Sequence, residues 1–165
     1  MSNSNTNIRK IRTAANIGLY GSILLCIATI VEHYLDKYIW LREITTNEYT
    51  RHLFVSAGLI IAVADIAYIL FAMRKRVPQI RQMEGVEPKL IAYRSLVCSV
   101  FYPALLVVLL VAAFIVTTHE NTMIMLLLLL VISLMLNYPN MYKMKADMGL
   151  NDDEMTELFG NEYHK

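Results

Sequence analysis

Apolar and polar residues follow one another along this chain in long blocks rather than in a short alternation. Four apolar stretches, at about residues 14–34, 52–73, 93–117 and 122–142, are separated by shorter polar or charged segments. Each is close to the ~20 residues that an α-helix needs to cross a ~30 Å hydrocarbon layer. The pattern predicts an all-α fold, a four-helix transmembrane bundle made of two antiparallel hairpins. The link Thr118-His119-Glu120-Asn121 between the third and fourth stretches is so short that those two helices must be antiparallel neighbours.

Local signals mark the ends of these helices. Thr45-Thr46-Asn47-Glu48 reads as a capping box, so the second helix is expected to begin outside the hydrocarbon. Tyr34, Tyr38, Trp40 and Tyr49 gather at the same boundary, as an aromatic belt would. Pro103 falls inside the third helix, where it removes one backbone hydrogen bond. Pro139 interrupts the end of the fourth. Beyond it, Gly149 suits a helix C-terminus, and Leu150-Asn151-Asp152-Asp153-Glu154-Met155 combines an N-cap Asn, a Glu three residues on and a Leu/Met staple. A short amphipathic helix is therefore expected in the tail. The arm Met1 to Asn7, rich in Asn and Ser, reads as disordered.

Composition strengthens the membrane reading. The 165 residues are 56% hydrophobic and 18% charged, against ~45–50% and ~25% in ordinary soluble domains. A formal net charge of +1 points away from nucleic acid as a partner. The placement of the charges is more informative than their sum. Arg9, Lys10 and Arg12, then Arg74, Lys75, Arg76, Arg81, Lys89 and Arg94, then Lys143, Lys145 and Lys165 fall on one side of the four stretches. Lys37, Arg42 and Arg51 fall on the other. The positive-inside rule then places both termini in the cytoplasm, with the chain in the plasma (inner) membrane. The division is a cytoplasmic arm at 1–11, a four-helix membrane domain at 12–142 and a cytoplasmic tail at 143–165. The first stretch follows basic residues as a signal peptide would, but it runs on into Val31-Glu32-His33-Tyr34 without a small-residue cleavage pattern, so it reads as a retained helix.

Candidate chemistry is sparse. Asp65 stands near the middle of the second stretch, where insertion of an acidic residue costs about 2.5–3.5 kcal/mol. It should face the bundle interior, as a proton or cation site or as a hydrogen-bonded packing residue. Counting helical rise from the membrane edges puts Ser22, Tyr102 and Ser133 at its depth, with Tyr68 one turn away, so a buried polar layer of Asp65, Ser22, Tyr102, Ser133 and Tyr68 is expected. Ala14, Gly18, Ser22 and Cys26 form a ridge of small residues at four-residue spacing, which lets another helix approach closely. Ser22 belongs to both sets, and contact between the first and second helices is the one they favour.

At the other rim, Glu32, His33, His52 and His119 are candidate metal ligands or proton carriers, with Glu120 beside them, yet their spacing fits no metal motif. No metal or other cofactor is expected. Met141, Met144 and Met148 share a helical face and read as packing rather than as a copper(I) site. The basic segment from Arg74 to Lys89 reads as a topology determinant, and the acidic run Asp152-Asp153-Glu154 as a partner for it in a cytoplasmic clamp. In helix count and lone buried acid the chain is similar to small multidrug-resistance transporters. That family carries its acid on the first helix, and no motif of it runs through this chain.

The expected function is that of a non-enzymatic membrane protein that packs with membrane lipid, with a second copy, or with a membrane partner subunit. The alternative is a small proton- or cation-coupled transporter or channel subunit that uses Asp65.

Overall fold

The computed structural model describes residues 2–35 and 48–160, and those residues are helical with short breaks. Six helices follow in chain order: α1 (Ser2–Leu35), α2 (Glu48–Arg81), α3 (Val86–Thr118), α4 (Asn121–Leu136), α5 (Met141–Met148) and α6 (Asp152–Phe159). Three of them, α1, α2 and α3, are long and apolar enough to cross a membrane, and the number rises to four if α4 and α5 count as one bent span. The capping box at Thr45–Glu48, and with it Tyr38 and Trp40, lies largely outside the described residues.

Helix α3 is the axis of the bundle. It packs most extensively against α1, next against α2, and turns at His119 into α4, which touches α1, α2 and α3. The long helices thus form a rhombus with α3 and α4 on the short diagonal and α1 and α2 at the far corners. The favoured contact between the first and second helices is not the one formed, because α3 takes the place of α2 on the small-residue ridge.

The helices run further than the apolar stretches at the basic end. Helix α1 begins at Ser2 rather than after a disordered arm, because the stripe Ile8, Ile11, Ala15 and Leu19 continues the buried face of the span back through the polar segment. Asn7 is also buried there and accepts a hydrogen bond from Arg94 Nη1 at 2.6 Å. Helix α2 runs through Pro78 to Arg81, and α3 runs through Pro103 unbroken. The fourth stretch is shorter than expected. Helix α4 ends at Leu136 after 16 residues, a length of about 24 Å at helical rise, and the chain then bends by 71° into α5.

Pro139 lies in that break, and the tail beyond it is ordered by its caps. Asn140 caps α5 by accepting from the Lys143 amide at 2.7 Å. Gly149 ends α5 with φ 61°, a conformation glycine adopts without strain, and the Arg81 side chain covers it. The Asn151/Glu154 capping box starts α6, with Leu150 and Met155 both buried beneath it. Met144, Met148, Met155, Leu158 and Phe159 join one apolar cluster with Ile8, Ile11, Leu90 and Leu134, so the tail helices close the basic end of the bundle.

Candidate functional site

The α2 face that packs inward repeats at three and four residues: Gly58, Ala62, Asp65, Ile69 and Ala72. Gly58 fixes what this stripe faces, since a Cβ there would meet Phe114 of α3 at 3.0 Å and would collide with Met123 of α4. Asp65 therefore sits on the face turned toward α3 and α4. It is 7% exposed, and its Oδ2 is buried without a hydrogen-bond partner. Neither of the two cavities described below is lined by Asp65.

Of the residues expected in the polar layer, Asp65, Ser22 and Ser133 are buried. Ser22 is fully buried, but its hydroxyl donates to the Gly18 carbonyl one turn back at 2.6 Å, a bond within α1. Ser133 is buried on α4. Tyr102 and Tyr68 do not join the layer; their exposures of 43% and 41% put them on the outer surface. Their depth was counted along the helix axis, whereas their facing is set around it. Tyr102 follows the buried Phe101 by one residue, a rotation of about 100°. The ridge Ala14, Gly18, Ser22 and Cys26 is buried along its whole length.

At the opposite rim, the α1 terminus meets the α3–α4 corner. His33 Nε2 donates to Asn121 Oδ1 at 2.7 Å, and the His33 and His119 rings stack with centroids 5.5 Å apart. Both carboxylate oxygens of Glu32 and the Nδ1 of His33 are buried without hydrogen-bond partners. Arg51 of α2 pairs with Glu120 across the same corner. His52 points away, exposed on α2. Among the described residues no three or more His, Cys, Asp or Glu side chains are grouped so as to hold a metal ion.

The basic end is held by contacts between residues far apart in the chain. A buried hydrogen bond from the Tyr93 hydroxyl to Asp147 Oδ2 at 3.1 Å ties α3 to α5, and no local motif announced it across 54 residues. Tyr138 donates to Asn16 Oδ1 at 2.6 Å, tying the α4–α5 bend to α1. The acidic run of α6 pairs through Asp152 with Lys145 of α5. Arg12 lies over the Phe159 ring, 5.6 Å from its centre. Two clefts flank the first turns of α1. One, of about 370 Å³, lies between α1 and α6 and includes Arg12, Asn16 and Phe159. The other, of about 640 Å³, lies between α1 and α3. No family model, curated protein or solved structure matches the chain.

Proposed function

We propose that the chain is a small polytopic membrane protein, with both termini cytoplasmic, that works without catalysis as a packing or assembly component, and that α2 is the helix through which it meets another chain. The observation that carries this reading is the unequal burial of the long helices. Only 22% of the apolar window of α2 is buried, against 39% for α1 and for α3. The face of α2 opposite Asp65 exposes Ile60, Val63 and Phe71 with the small residues Ser56 and Ala67 among them. Small residues on an exposed apolar face let a second helix come close, where association in lipid rests on van der Waals packing.

Light scattering on the full chain in a mild detergent tests this. A discrete dimer or a stoichiometric complex is expected, whereas a monodisperse monomer without a co-purifying subunit contradicts it.

A second reading has its own support. An intramembrane carboxylate with an unpartnered oxygen is suited to bind a proton or small cation. Asp65→Asn separates the two. Assembly through the outer face of α2 predicts unchanged oligomer mass and no ion flux in proteoliposomes of either protein. Coupled transport predicts flux in the native protein, lost in a variant that still folds.

A further inference from the structure

We infer that the cleft between α1 and α3 at the basic end of the bundle is a binding site for an anionic phospholipid, with the phosphate among Arg9, Lys10 and Arg94 and an acyl chain along the apolar groove below.

Arg9, Lys10 and Arg94 line one cavity of about 640 Å³, together with the hydroxyl-bearing Thr6, Thr13 and Tyr102. No carboxylate lines it. Arg94 is oriented by its bond to the neutral Asn7, at 2.6 Å, so its charge is positioned without being neutralised. Three cations facing one cleft repel each other, and an anion that bridges them removes that repulsion. A phosphodiester matches the donors, since guanidinium groups bind phosphate oxygens with two parallel hydrogen bonds.

The lower half of the groove selects a lipid. On α1, Thr6, Lys10, Thr13, Ile17 and Leu24 recur at helical spacing, and the stripe changes from polar to apolar between Thr13 and Ile17. On α3, Arg94, Cys98, Tyr102, Leu106 and Leu109 do the same. Ile17, Leu24, Leu106 and Leu109 are 48%, 69%, 62% and 49% exposed. The two stripes together frame a groove that is cationic at the membrane edge and apolar toward its middle. That is the polarity profile of a phospholipid and not of free phosphate. Basic pockets between membrane helices on the cytoplasmic side bind lipid head groups in this way.

The inference rests on the membrane-spanning reading and is independent of the assembly role. Its test is thermal unfolding of the full chain in nanodiscs of phosphatidylcholine alone and of phosphatidylcholine with phosphatidylglycerol. The anionic lipid is expected to raise the melting temperature by about 4 °C, the shift for a ligand at roughly tenfold its dissociation constant. Arg9→Gln/Lys10→Gln/Arg94→Gln should lose that increment. Arg9→Gln/Lys10→Gln, which leaves the Asn7 contact intact, should lose most of it. Arg74→Gln/Lys75→Gln/Arg76→Gln, with the same change in net charge, should keep it. Equal increments in all the variants, or equal loss in all of them, overturn the site. An equal rise with inorganic phosphate in phosphatidylcholine overturns the lipid assignment. Failure of the native chain to enter nanodiscs contradicts the membrane reading instead.

Discussion

Gly18 of α1 lies directly against Phe101 of α3: a Cβ added at Gly18 would stand 2.8 Å from the Phe101 Cβ and 2.9 Å from its carbonyl oxygen. Backbone approaches backbone here, so no flexible side-chain end can yield. Gly18→Ala is predicted to destabilise the bundle by about 1–3 kcal/mol, the range for overpacking, despite the better helix propensity of Ala. Gly21→Ala meets only the Leu105 methyl at 3.1 Å, and it should be near neutral. Denaturant unfolding of the two variants in detergent checks the contrast.

Tyr93 and Asp147 are both buried, and their hydrogen bond joins α3 to the first tail helix. Tyr93→Phe keeps the ring in the core but leaves a carboxylate without its donor. A loss of about 1–3 kcal/mol is expected. Tyr93→Phe/Asp147→Leu should recover part of it, because removing both partners leaves no unsatisfied group. A double-mutant cycle measures the coupling.

His119 ends α3 with φ 52°, the sole positive-φ non-glycine position among the described residues. Glycine adopts this left-handed conformation freely, whereas alanine does not. His119→Gly and His119→Ala both remove the ring that stacks on His33, so their difference isolates the backbone. The Gly variant should be the more stable by about 1 kcal/mol, read as a difference in denaturant midpoint at equal slope.

Asn151 caps α6 by accepting from the Glu154 amide at 2.7 Å, and the Glu154 carboxylate accepts from the Asn151 amide at 2.8 Å. Asn151→Ala should weaken the helix by about 1 kcal/mol. Its release would uncover Ile8 and Ile11, which share an apolar cluster with Leu158 and Phe159. Faster hydrogen exchange is expected in α6 and in the first three turns of α1, with α2 unchanged.

The long apolar helices and the tail caps are legible because each depends on local information: length of an apolar block, a proline, a glycine, an Asn three residues before a Glu. The ridge through Gly18 and Ser22 was legible as a seam for the same reason. Its partner was not. Helical rise gives the depth of a residue and says nothing about which helix lies beside it, so Ser22 and Asp65 count to one level although the α1 seam packs on α3. The same limit applies to Tyr68 and Tyr102, whose exposed side chains face outward. The polar arm before Ile8 leads into the buried residues Ile8 and Ile11, which share one cluster with Leu158 and Phe159 from the far end of the chain, a contact no local pattern announces.

Cysteine cross-linking along α2 in native membranes, with Cys26 and Cys98 replaced by Ser, reads out whether α2 meets a second copy of the chain. Val63→Cys and Ala67→Cys, on the exposed face opposite Asp65, are predicted to give a discrete cross-linked species, while Ala62→Cys, fully buried against α3 and α4, gives none. Uniformly absent cross-links along the exposed face of α2 would contradict the assignment of that helix as the assembly surface.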